Sequence, residues 1–194
     1  MKMPKVEWKG GALLAPLPAV LVSSSLPDGK PNVATVAWCG IICTQPPRVY
    51  ISLRPSRFSH EIISSTREFV INLVPVSLVR AADTCGVFSG RKADKFEKCH
   101  LTPEASFKVL CPSVAESPMS LECKVYDIIP QGSHDMFLAD VVSVGVSPDL
   151  IDEKGALKLD RAGLSAFAHG EYFELGRRVG TFGFSVKKKH SYKK

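Results

Sequence analysis

The stretch from Pro31 to Asn72, PNVATVAWCGIICTQPPRVYISLRPSRFSHEIISSTREFVIN, narrows the fold more than any other part of the chain. Val33, Thr35 and Ala37 alternate with Ala34, Val36 and Trp38, which predicts a strand over Asn32 to Ile42. Gln45-Pro46-Pro47 then turns the chain back as Val49 to Leu53, so Asn32, Thr35 and Trp38 come near the polar segment that follows. That segment, Ser52 to His60, holds three hydroxyls, two guanidiniums and an imidazole. Ile62 and Ile63 behind it predict a short helix ending near Thr66. A loop of donors at a helix N-terminus suits an anion, because free N–H groups and the helix dipole both favour negative charge there. By residue types alone, the same loop also reads as solvated surface with a helix cap at Ser56 or Ser59.

The rest of the chain alternates in the same way. Ala19 to Ser25 reads as a first strand closed by the turn Pro27-Asp28-Gly29-Lys30-Pro31, and Glu68 to Val74 as a further strand carrying Asn72. Val76, Leu78, Val79 and Ala82 have helical spacing, and Phe88-Ser89-Gly90 and Asp94-Lys95-Phe96-Glu97 follow as loop and helix. Ser89-Gly90 offers backbone donors and Lys95 a point charge beside them, although a lone lysine is usually solvated surface. Leu121 to Ile129 and His134 to Val146 form a long hairpin that ends at Pro148. Such an antiparallel meander favours a closed barrel over an open sheet. The aromatics Phe167, Tyr172 and Phe173 read as core or interface.

Composition excludes several classes. With 45% hydrophobic and 23% charged residues in 194, the chain reads as one ordinary globular domain, 1–186, followed by a basic tail, 187–194. Lysines 187, 188, 189, 193 and 194 supply most of the formal net charge of +6, so no basic face for nucleic acid is expected. The apolar run Ala12 to Val22 is broken by Pro16 and Pro18, has Glu7 among its upstream lysines and is shorter than a membrane span. A cytoplasmic protein with no membrane partner is the expectation. The six cysteines make no C-x-x-C pair and read as free thiols, several of them buried, with no metal site. Hydrolase elbows, H-E-x-x-H, Walker loops and the dinucleotide-binding glycine fingerprint are all missing from the sequence.

N-x-x-T-x-x-W, the Pro-Pro turn, V-Y-I-S-L-R-P-S-R-F-S and F-V-I-N, in this order, resemble the flavin reductase-like family of FMN-binding split-barrel proteins, and most closely its flavoredoxin branch. Phe88 to Phe96, Gly132 to Phe137 and Phe167 to Tyr172 extend the resemblance from about Leu17 to Leu175. It implies a mainly β, antiparallel, Greek-key-like split barrel with a few short flanking helices. It also implies FMN as cofactor, with no catalytic side chain, because the flavin carries the electrons and the protein positions and tunes it.

On this resemblance Ser56, Arg57 and Ser59 bind the phosphate, with Ser52 in the same loop. Asn32, Thr35, Trp38 and Asn72 serve ring, ribityl chain or pocket wall. Arg54 and Lys95 add positive charge, Ser89 and Gly90 lie against the flavin, and His134 and Phe167 approach it. The function implied is an oxidoreductase passing electrons from NADH or NADPH through FMN to an acceptor. A flavoredoxin-type carrier between proteins is the alternative, and a cofactor-free binding barrel is a third reading. A homodimer is expected as well, with Phe137, Leu138, Phe167, Tyr172 and Phe173 as surplus apolar surface.

Overall fold

The computed structural model describes residues 2–186; the expected basic tail, 187–194, lies outside them. In chain order the elements are β1 (Val20–Ser24), β2 (Asn32–Val36), β3 (Cys39–Thr44), β4 (Pro47–Leu53), α1 (Phe58–Thr66) and β5 (Glu68–Leu73). They continue with α2 (Val79–Val87), α3 (Lys95–Lys98), β6 (Pro103–Glu104), β7 (Ser113–Val114), β8 (Met119–Pro130), β9 (Asp135–Val146), β10 (Ser165–Ala168) and β11 (Glu171–Glu174). Single 3-10 turns fill several connections, among them Val76–Leu78 and Leu159–Arg161. The protein is thus mainly β with short helices, as expected.

Seven strands form one antiparallel sheet in the order β2-β1-β5-β8-β9-β4-β3. The strand expected over Asn32 to Ile42 is in fact two. Asn32–Val36 pairs with β1, whereas Cys39–Thr44 pairs with β4 at the opposite edge. Apolar periodicity runs through the break, so alternation could not reveal it; the chain changes direction at Ala37-Trp38, where Cys39 N–H donates to the Ala37 carbonyl at 3.1 Å and Ser52 N–H to the Trp38 carbonyl at 2.8 Å. Since two residues join the sheet's two edges, the sheet must curl on itself. No ladder closes the seam between β2 and β3, and the barrel is split there. Two register shifts in the long β8–β9 ladder allow the bend.

β1 is buried along its whole length because it has a core on each face. Val20 and Val22 point into the barrel with Ile51, Phe69, Ile71 and Phe137. Leu21 points the other way, into a second cluster with Val33, Leu78, Ala82 and Phe96 that seats α2 and α3 on the sheet. Phe137, expected as surplus surface, is instead fully buried, with its ring edge-on to His60 at 5.1 Å between centroids.

Asn72 is also fully buried, and all its capacity goes to the fold. Its Nδ2 donates to the Leu21 carbonyl and to Ser23 Oγ, both at 3.0 Å, and its Oδ1 accepts from Val114 N–H and Ser120 Oγ–H, both at 2.8 Å. One amide thus ties β1, β5, β7 and β8 together. Asn72→Ala strands a buried backbone N–H and a hydroxyl, so it is expected to cost about 2 to 4 kcal/mol of stability. Urea unfolding measures this; a loss under about 0.5 kcal/mol, the range of ordinary surface changes, contradicts the assignment.

Candidate functional site

The corner at Ala37-Trp38 opens a cavity of about 620 Å³ between β2, the end of β4, the loop before α1, the end of α2 and the β10–β11 hairpin. This is within the range of sites that enclose cofactor-sized molecules. Leu17 pairs with Phe167 through two backbone hydrogen bonds, which fixes the hairpin at the rim.

One end of the cavity is cationic. Ser52, Arg54, Ser56, Arg57 and Ser59 line it, together with Ser89, Gly90 and Lys95. Arg57 N–H closes a turn onto the Arg54 carbonyl at 2.9 Å, and Arg57 itself is the residue that opens α1. No side chain caps this helix, so the cap at Ser56 or Ser59 that the solvated-surface reading offered does not form; His60 N–H turns back to the Arg57 carbonyl at 3.0 Å, and the first-turn N–H groups before it keep their capacity for an anion. Ser59 is buried inside the first turn and its Oγ receives Asn32 Nδ2 at 2.7 Å. Arg57 Nη1 donates to the Gly86 carbonyl at 3.3 Å, which holds the guanidinium across the cavity against α2.

Lys95 is the electrostatic centre of this end. It is 4% exposed, donates from Nζ to the Cys85 carbonyl at 3.3 Å, and pairs with no carboxylate among the described residues. Burial pushes its ammonium below the ordinary lysine range; the Cys85 thiol opposes that, and the Arg57 charge adds to it. A buried cation facing a guanidinium is costly unless an anion joins them.

Gly90 holds the adjoining loop tightly against β2. A Cβ there would fall 2.1 Å from Asn32 Oδ1 and 3.1 Å from the Phe58 ring, so only glycine fits. Asn32 Oδ1 is itself buried and has no partner among the described residues. The loop is tied to α1 by Arg91, which pairs with Glu61 at 2.6 Å and lies over the Phe58 ring at 5.0 Å.

Thr35 borders Gly86, the residue that receives Arg57, and Trp38, His134 and Phe167 add aromatic side chains to the lining. The Thr35 hydroxyl donates to the Ala82 carbonyl and so fastens α2 to β2. Trp38 and His134 present nearly parallel rings, 12° apart in plane with centroids at 6.2 Å. Phe167 meets Tyr172 edge-on at 5.2 Å. His60, in the polar segment, stays outside the cavity. Its Nε2 pairs with Asp135 Oδ2 at 2.7 Å and pins α1 to the start of β9, beside His134.

Of the expected site residues, only Asn32 and Asn72 fail to line the cavity. Asn32 stands directly behind it, bonded to Ser59 and pressed against Gly90. Asn72 points into the sheet, where its hydrogen-bond partners hold it, and the expected pocket-wall role is corrected to a structural one. Phe58, Cys85, Gly86, Phe88 and Tyr172 also line the cavity. Phe88 and Tyr172 fall within the quoted motifs, but the Cys85-Gly86 backbone enters only because α2 ends there, and no residue type announces that.

Residues 14–175 match the family model described as flavin reductase like domain. A flavoredoxin of Desulfovibrio vulgaris (Miyazaki F) shares 30% identity and superposes with a TM-score of 0.88 over 95% of this chain and 100% of its own. The reductase component of a 4-nitrophenol 4-monooxygenase/4-nitrocatechol 2-monooxygenase from Rhodococcus opacus is 30% identical over 63% of each chain. An FMN reductase (NADH) of Rhizobium rhizogenes is 23% identical over 64% of this chain and 69% of its own. With a match over most of its length, and with the split barrel that the motifs implied, the chain belongs to the flavin reductase-like family.

Proposed function

We propose that this protein is an FMN-binding oxidoreductase that passes electrons from a reduced nicotinamide, NADH or NADPH, through bound FMN to an acceptor. The observation that carries the proposal is the buried Lys95 ammonium, which faces Arg57 and an uncapped helix N-terminus with no carboxylate to balance it among the described residues. Such a site calls for a dianionic group, and a flavin phosphate fits it. Asn32 supports the site from behind, where its Nδ2 holds Ser59 Oγ and Gly90 closes over its Oδ1. Trp38, His134 and Phe167 supply aromatic faces for a ring system.

Bound FMN would supply the two-electron chemistry. The residues do the rest. Ser56, Arg57 and Ser59 hold the phosphate, and Arg54 and Lys95 bias the site toward negative charge, which favours the reduced cofactor. Trp38 and Phe167 keep water from the ring. The cytoplasm, which contains reduced nicotinamides, is the setting this reading assumes.

Arg57→Ala removes a charge-assisted hydrogen bond of about 1.5 to 3 kcal/mol and is expected to weaken FMN at least tenfold while leaving riboflavin nearly unchanged. Fluorescence titration with both flavins measures this, and equal FMN affinity in parent and variant would refute the phosphate assignment.

The donor is tested separately. Anaerobic stopped-flow mixing of the FMN-loaded protein with NADH or NADPH is expected to bleach the flavin absorbance within seconds. The 30% identity and 0.88 TM-score to a flavoredoxin favour a second reading, a carrier that takes electrons from another protein. Bleaching by a reduced protein donor, with none by either nicotinamide, selects the carrier.

The proposal includes a homodimer in which each cavity is completed by the partner. Its support is the exposed apolar side chains of the sheet, Ile41 and Ile42 on the edge strand β3 and Tyr126, Ile129, Val142 and Val144 on the hairpin β8–β9. Light scattering of the flavin-loaded protein is expected to give twice the chain mass of 21.1 kDa. A monomer that retains its flavin rules the shared cavity out.

A further inference from the structure

Cys85 and Cys99 come from different elements and meet at the wall of the cavity. Their Sγ atoms are 3.7 Å apart. Cys85 lies in the last turns of α2 and lines the cavity, and Cys99 is the residue that ends α3. Cys99 Sγ also rests 3.9 Å from the Ala81 carbonyl, one helical turn before Cys85, so it lies along the same face of α2. No other two thiols among the described residues are within hydrogen-bonding reach of each other. Between the two cysteines runs the loop that carries Phe88, Ser89 and Gly90 to the cavity.

We propose that Cys85 and Cys99 form a reversible dithiol–disulfide pair, a redox modification site that clamps the base of the cavity loop. A disulfide needs its sulfurs about 2.05 Å apart, and α3, a single turn, is the element that moves to close the gap. The two thiols have different tasks. Cys85 is buried, and burial first, with Cys99 next to it, pushes its thiol up to about 12 despite the opposing Lys95 charge. Cys99 is half-buried and is the sulfur an external reagent reaches.

With glutathione disulfide as oxidant, the Cys99 thiolate attacks one of its sulfurs, forms a mixed disulfide and releases one glutathione thiolate. Cys85 then gives its proton to solvent and attacks Cys99 Sγ, which forms the Cys85–Cys99 bond and expels the second glutathione. Overall two protein thiols lose two electrons and two protons, and one glutathione disulfide becomes two glutathione thiols. This chemistry stands independently of the flavin assignment.

The test uses the full chain as purified, incubated with glutathione disulfide, alkylated and digested with trypsin. Cleavage after Arg80, Arg91, Lys98 and Lys108 places the two cysteines on separate peptides, Ala81 to Arg91 and Cys99 to Lys108. The expected product is these two peptides joined by a bond that dithiothreitol opens, with two of the six thiols lost. In Cys85→Ser, glutathione is expected to remain attached to Cys99, and in Cys99→Ser no linked peptide forms. The proposal is overturned if the parent protein yields no linked peptide, if it retains glutathione on Cys99 without resolution, or if only Cys43, the other half-buried thiol, reacts. The parent-protein map needs no variant, so a variant that fails to fold leaves the test intact.

Discussion

Two residues, Ala37 and Trp38, link strands that lie on opposite edges of a seven-stranded sheet, and most of the structure follows from this covalent constraint. So short a connection obliges the sheet to curl until its edges face each other. The curl encloses Ile51, Phe69 and Phe137 in the barrel and leaves a seam without a ladder. At that seam the backbone turns from strand pairing to hold Ser52 N–H with the Trp38 carbonyl, and the cavity opens beside it. Fold and site therefore share one cause. The place where the barrel fails to close is the place where the cavity lies.

The second organising feature is electrostatic. Surface cations near carboxylates, such as Arg48 with Asp140 at 2.7 Å, contribute little and are screened. Lys95 differs because the second core cluster, which packs α2 and α3 on β1 and β2, carries it out of water beside Arg57. The fold invests packing in holding a charge that has no internal counterpart among the described residues. Buried carboxylates elsewhere are treated differently. Glu122, 2% exposed, accepts the N–H groups of Phe107 and Lys108 at 2.8 and 2.6 Å and so completes itself within the chain. One buried charge is closed by backbone donors, and the other has no carboxylate beside it among the described residues.

The sequence was most legible where local chemistry decides the outcome. The polar loop Arg54 to Ser59, the Ser89-Gly90 loop and the long β8–β9 hairpin stand where residue type and alternation put them, because turns and pleats are short-range. It was least legible where a residue's partner is distant in the chain. Asn72 looked like a site residue by its motif, yet its partners Leu21, Ser23, Val114 and Ser120 arrive from three other strands and satisfy it inside the sheet. Phe137 looked like spare apolar surface, and the curl of the sheet turned it inward.

By itself, the amino-acid order determined the antiparallel strand pattern, the cationic hydroxyl-rich loop and the family to which the chain belongs, since each resides in contiguous residues. Only the tertiary structure decided that Asn32–Val36 and Cys39–Thr44 are separate strands, that Lys95 is buried, and that Cys85 and Cys99 meet. Those outcomes depend on which segments the curled sheet brings within a few ångströms of one another. No periodicity along the chain encodes that proximity, because it arises from the packing of α2 and α3 against strands formed some fifty residues earlier.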